Sequence, residues 1–124
     1  MKIRIKGNSL RVRLTRSELD IFGREGYLEE RTEFGNATLI YALQISDSLQ
    51  NLSADYYGNK ITLFVPKSLT DKWVSTDMVG FSNKLSIGES KELFLLVEKD
   101  FKCIDGEVLE DQSDNFDNPL DKCE

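Results

Sequence analysis

The sequence predicts an α+β fold: a mostly antiparallel, strongly curved sheet or open barrel of about eight strands with two short helices. Three observations predict it. Apolar and polar residues alternate in short runs that are paired around Gly-containing turns. Two helix signals each sit between hairpins. The chain also repeats itself at an offset of 51 residues, so that each half reads hairpin, helix, hairpin.

Lys2 to Lys6 and Leu10 to Leu14 alternate basic with apolar side chains and flank Gly7-Asn8-Ser9, which predicts a first β-hairpin. Thr15-Arg16-Ser17-Glu18 has the spacing of a capping box, and Leu19 with Phe22 gives a short apolar stripe. A helix is therefore expected from about Arg16 to Glu25, closed at Gly26. Tyr27 to Phe34 and Ala37 to Ser46 form a second hairpin, because Gly35-Asn36 suits a two-residue turn that needs positive φ. Leu52 to Tyr57 and Lys60 to Val65 form a third around Gly58-Asn59, and Pro66 opens a second helix through about Thr76. Val79 to Ile87 and Lys91 to Phe101 make the last strand pair. Leu93 to Val97 is apolar on both faces, as a central strand is.

The repeat places Gly7-Asn8 on Gly58-Asn59, Leu10, Val12 and Leu14 on Ile61, Leu63 and Val65, and Phe22 on Trp73. A duplicated ββαββ unit would pack its halves (residues 1–46 and 52–101) about a pseudo-twofold axis and leave a groove or barrel mouth between them. Convergence on common turns is the competing account. Residues 1–102 are read as one domain, since 124 residues with 40% hydrophobic content suffice for a single core, and 103–124 as an acidic C-terminal tail.

Composition excludes several function classes. With no histidine, Ser-His-Asp triads, HExxH metalloproteases and His-bearing zinc fingers are out. Two cysteines, Cys103 and Cys123, cannot build a four-thiolate zinc site, and without a secretion signal they read as reduced thiols more readily than as a bridge. The start MKIRIKGNSL lacks the apolar run of about 7–15 residues of a signal peptide, and no segment is apolar for long enough to span a bilayer. A cytoplasmic protein is expected. Net charge is −6, distributed as +5 over residues 1–24, −3 over 25–88 and −8 over 89–124. Nucleic-acid binding, which rests on phosphate neutralisation, is not expected of such a chain, and neither is membrane association.

Alternation puts Lys2, Arg4, Lys6, Arg11 and Arg13 on one surface of the first hairpin and Ile3, Ile5, Leu10, Val12 and Leu14 on the other. Like charges facing each other on paired strands are unfavourable, so an anion or neighbouring carboxylates would be a favourable addition. The five cations are thus the candidate anion-binding residues. Glu29, Glu30, Glu33, Glu98 and Asp100 are available to balance them as a plain solvated face. The acidic tail offers carboxylates but no EF-hand order, so no metal site is assigned; Glu98, Asp100, Asp111 and Asp114 are weak candidates only. Phe116 and Leu120, around Pro119, are the expected anchors of the tail. Of Tyr56 and Tyr57, neighbours on a strand, one ring should be exposed as a weak marker of a partner surface. No catalytic residues are assigned: Glu98 and Asp100 share a strand face, as ordinary surface acids also do, and Cys103 has no histidine to activate it.

The N-terminal segment KIRIKGNSLRVRLTRSE, the YLEERTEFGN hairpin and the stretch from Lys102-Cys103 to EDQSDNFDNP resemble a family of short bacterial proteins known only as a domain of unknown function. The resemblance spans nearly the full length and implies a small cytoplasmic α+β domain with no assigned activity. A second, weaker similarity is to the triphosphate tunnel (CYTH-like) fold, whose barrel interior interleaves Arg, Lys and Glu around a triphosphate and a divalent metal. Arg11, Arg13, Glu29 and Glu98 would suit it, but Lys2-Ile3-Arg4-Ile5-Lys6 stands where that family has Glu-x-Glu-x-Lys.

These observations favour a non-enzymatic binding or interaction module without a cofactor, acting on an unidentified protein partner or a small anion, as a monomer or homodimer. The alternative is a phosphate- or polyphosphate-binding tunnel-type phosphohydrolase that requires Mg²⁺ or Mn²⁺. Inward-facing Arg11 and Arg13 would be its structural signature.

Overall fold

A computed structural model describes residues 1–101 and 114–117. Short alternating runs become strands β1 (Lys2–Ile5) and β2 (Ser9–Leu14), β3 (Tyr27–Glu33) and β4 (Thr38–Ser46), β5 (Ser53–Tyr57) and β6 (Lys60–Pro66), and β7 (Gly80–Gly88) and β8 (Lys91–Lys99). Helix α1 (Arg16–Glu25) follows the first hairpin and α2 (Lys67–Ser75) the third. The α+β class, eight strands and two helices are those the sequence predicts.

Helix α1 begins where its cap requires. Thr15 Oγ1 accepts from the Glu18 amide, and Glu18 Oε1 accepts from the Thr15 amide at 2.9 Å. Such a reciprocal cap contributes about 1 kcal/mol. The helix ends at Gly26, whose left-handed φ of 75° lets its amide donate to Phe22 O. Helix α2 starts one residue later than Pro66, which remains the last residue of β6 and provides no side-chain cap.

The eight strands lie in two sheets and not in one continuous sheet. They divide into two mixed four-stranded sheets, ordered β1-β2-β8-β7 and β3-β4-β6-β5, with no closed barrel. Each sheet takes one hairpin from each half of the chain. β2 lies parallel to β8, with Leu10 beside Leu95 and Val12 beside Val97. β4 lies parallel to β6, with Tyr41 beside Ile61 and Leu43 beside Leu63. Alternation within a run cannot report such pairing, because it specifies which face is buried and not which strand lies alongside.

The two halves make equivalent contacts. Phe94 N donates to Asn8 O and Ile40 N to Asn59 O; Lys99 N donates to Val79 O and Ile45 N to Gly26 O. Helix α1 buries Leu19 and Phe22, and α2 buries Thr70 and Trp73, each pair separated by the same 51 residues. Each half thus contributes the same kind of strand-to-strand contact to the sheet it shares with the other. The inward rows of both sheets and the buried faces of both helices meet in one hydrophobic cluster that includes Val12, Leu14, Phe22, Leu43, Leu63, Trp73, Leu95 and Val97. Trp73 is fully buried, stacks edge-on against Phe81 at 5.4 Å between centroids, and donates from Nε1 to Val79 O. Among the described residues no helix is long and apolar enough to cross a membrane.

Candidate functional site

With Leu10, Val12 and Leu14 packed inward, β2 turns Arg11 and Arg13 outward, and the register of the first sheet sets their neighbours. Three rows cross its outer face. Lys2, Arg13, Glu98 and Gly80 form the first, and Arg4, Arg11, Leu96 and Ser82 the second. Ser9, Phe94 and Lys84 form the third, where Lys6 closes the hairpin by donating its amide to Ser9 O. The expected clustering of Lys2, Arg4, Arg11 and Arg13 is therefore present, and Lys6 lies at its rim.

Carboxylates neutralise this face unevenly. Glu98, on β8 between the two halves of the sheet, accepts from Arg13 Nε at 2.7 Å and lies 3.7 Å from Arg11 Nε. No side chain competes at Gly80, where a Cβ would fall 2.1 Å from Val97 O. Asp100 is nearly buried, and Lys2 Nζ is 3.1 Å from its Oδ2. Arg4 and Arg11 stand directly opposite each other, and among the described residues no carboxylate lies within 4.0 Å of Arg4. Among the described residues the middle row has a single carboxylate, Glu98, for its two arginines, and shares it with Arg13. Phe94, partly exposed, and Leu96 give the face an apolar strip beside these arginines.

The other acids do not serve this face. Glu29 lies on the outer face of the second sheet, where hydrogen bonds from Tyr27 and then Arg31 hold its carboxyl below the usual range. Lys60 Nζ donates to Tyr27 Oη at 2.7 Å and extends that network. Glu30 points inward: it accepts from Tyr41 Oη at 3.0 Å and from the Met1 ammonium at 3.3 Å, and that ammonium also pairs with Glu18. Burial, then the Glu30 carboxylate, raises the Tyr41 phenol above its ordinary range.

The described part of the tail docks elsewhere. Arg16 N donates to Asp114 O at 2.9 Å, while the Ser17 amide and hydroxyl donate to the Asp114 carboxylate. Hydrogen bonds from Ser17 first, then Thr15, lower the Asp114 pKa. Phe116 anchors the segment as expected. Its amide donates to Asp100 O, and its ring meets Phe101 edge-on at 5.8 Å with Lys99 Nζ at 4.9 Å and Arg16 at 5.6 Å from the centroid. Lys99, inward at the end of β8, donates to Thr76 O, and burial lowers its pKa against the opposing effect of Asp77.

Of the weak metal candidates, Glu98, Asp100 and Asp114 are thus engaged separately, and Asp111 lies outside the described residues, as do Cys103, Cys123, Pro119 and Leu120. Among the described residues no three His, Cys, Asp or Glu side chains converge as metal ligands. Both Tyr56 and Tyr57 are exposed (68% and 84%), where one was expected, because β5 is a sheet edge whose inward row has no cover at that end. A shallow groove lies between the helices, lined by Asp20, Gly23, Arg24 and their repeat equivalents Asp71, Val74 and Ser75. The sequence reading missed Lys84, Phe94 and Leu96 as members of the basic face. Only the β2–β8 and β8–β7 registers bring them there.

The tunnel comparison fails on this geometry. Arg11 and Arg13 face away from the core, the sheets do not close, and nothing supports the CYTH-like alternative. No curated protein and no solved structure matches the chain significantly. The family model described as a family of unknown function, DUF7009, matches residues 1–120, in keeping with the full-length resemblance, and the chain belongs to that family.

Proposed function

We propose that the protein is a non-catalytic binding module that takes an anionic partner on the outer face of the first sheet. One observation carries this reading: Arg4 and Arg11 oppose each other across β1 and β2, while among the described residues the carboxylate paired with Arg11, Glu98, is shared with Arg13. Two like charges on a cross-strand pair cost stability. A bound carboxylate or phosphate relieves that cost and makes charge-assisted hydrogen bonds with the guanidinium groups. The strip formed by Phe94 and Leu96 supplies apolar contact beside the charges.

Thermal unfolding with orthophosphate, pyrophosphate, triphosphate and poly-glutamate, at low and raised salt, tests this. A ligand that binds only the folded state raises the midpoint by mass action. The expected result is a salt-sensitive rise that disappears in the Arg4→Glu/Arg11→Glu variant. A flat panel in the wild type overturns the reading, as does a rise that the variant retains.

A further inference from the structure

Among the described residues the basic face ends at an unpaired strand edge, whose charge differs from that of the other edges. β1 is the terminal strand of the first sheet. Lys6 N donates to Ser9 O across the first turn, so antiparallel alternation makes Arg4 and Lys2 the hydrogen-bonded positions facing β2. The N–H and C=O groups of Ile3 and Ile5 then point to the open edge. Ile5 belongs to the inward row beside Leu10, yet it is 57% exposed.

The four edges differ in charge. β3 carries Glu29, Arg31 and Glu33 on its outward row, β5 carries Asp55, and β7 carries one cation and shifts its register at a bulge between Ser86 and Gly88. β1 presents two cations and no acid outward, Lys2 and Arg4, continued by Lys6 at the turn. Charged edges deter strand pairing in general, but a row of one sign deters selectively. It repels basic or identical strands and accepts acidic ones.

We infer that β1 accepts a strand from an acidic partner protein, an extended segment that alternates carboxylate and apolar side chains. This deepens the anionic-partner reading and rests on it. The partner's backbone pairs with Ile3 and Ile5; its carboxylates fall beside Lys2, Arg4 and Lys6, within reach of the Arg4–Arg11 pair. Its apolar side chains cover Ile5. Main-chain hydrogen bonds give such an addition its affinity, and the alternating side chains give it selectivity.

Titration of the full chain with a Glu-Val alternating peptide, a Glu-Pro peptide of equal charge, and triphosphate separates the possibilities. Glu-Pro keeps the charges but cannot donate along a ladder. The inference expects Glu-Val to bind at least about tenfold more tightly than Glu-Pro. That preference should be lost in Ile5→Pro, whose ring occupies an edge N–H, and binding should weaken in Arg4→Glu. Should Ile5→Pro fail to fold, amide exchange in the wild type replaces it, with slowing at Ile3 and Ile5 expected when Glu-Val is added; unchanged exchange overturns strand addition. Equal binding of both peptides, abolished by Arg4→Glu/Arg11→Glu, overturns strand addition and leaves the anionic face standing. Absence of binding by all three probes overturns both. Self-association of the chain alone that Ile5→Pro abolishes assigns the edge to a second copy and also overturns the inference.

Discussion

Gly23 of α1 lies against Val74 of α2, and the two positions are equivalent under the 51-residue repeat. A Cβ on Gly23 would stand 3.0 Å from Val74 Cγ2, so the helices approach closely only because one of the equivalent positions lacks a side chain. Two halves with the same order of elements therefore differ where their helices meet.

This contact sets the sign of a substitution. Glycine inside a helix costs about 1 kcal/mol relative to alanine, but Val74 is a stiff β-branched neighbour. Gly23→Ala alone is expected to change stability little, and in a Val74→Ala background to stabilise by about 1 kcal/mol. Chemical denaturation of the four species checks this; strictly additive effects would show that the 3.0 Å approach does not matter.

Tyr41 gives a prediction at high pH. Burial and Glu30 raise its pKa above the ordinary tyrosine value. A proton held more tightly in the folded than in the unfolded chain stabilises the fold fully below the ordinary value, and that contribution is lost as pH rises through the raised one. Absorbance titration should show a tyrosine step above the ordinary range. The step should vanish in Tyr41→Phe; a late step that persists there would assign it to another ring.

Asp114 behaves in the opposite sense. Its pKa is lowered by Ser17 and Thr15, so its contribution is present above the ordinary carboxylate range and is lost as pH falls through the depressed value. The amide signals of Arg16 and Ser17 should titrate together in this acid range. In Asp114→Asn they should be flat, while the Glu18 cap persists. An unchanged titration in that variant would mean the segment 114–117 does not hold the start of α1.

The site was half legible. Alternation in Lys2-Ile3-Arg4-Ile5-Lys6 and in Arg11-Val12-Arg13 placed the cations on one face, because strand side chains have period 2 wherever the strand lies. Glu98 and Asp100 were named among five possible counter-ions, and choosing them needed the parallel register that sets Arg13 beside Glu98. Glu30 reads in sequence as one more surface acid between Glu29 and Arg31. Its inward turn toward Tyr41 follows from the β3–β4 register and from the position of Met1.

What the sequence by itself determined is local: the capping box at Thr15 and Glu18, the turns at Gly7-Asn8 and Gly58-Asn59, the hairpins, and the order of elements in each repeat. These rest on interactions between residues a few positions apart. The tertiary structure decided that the hairpins are exchanged between halves, that eight strands make two mixed sheets, and that Arg4 and Arg11 share a row with Leu96 and Ser82. Those outcomes depend on burying the apolar rows of β2, β8, β4 and β6 in one core. Burial is nondirectional, so the apolar pattern shows that these rows must be covered while the partner strand is settled by the packing of the whole chain.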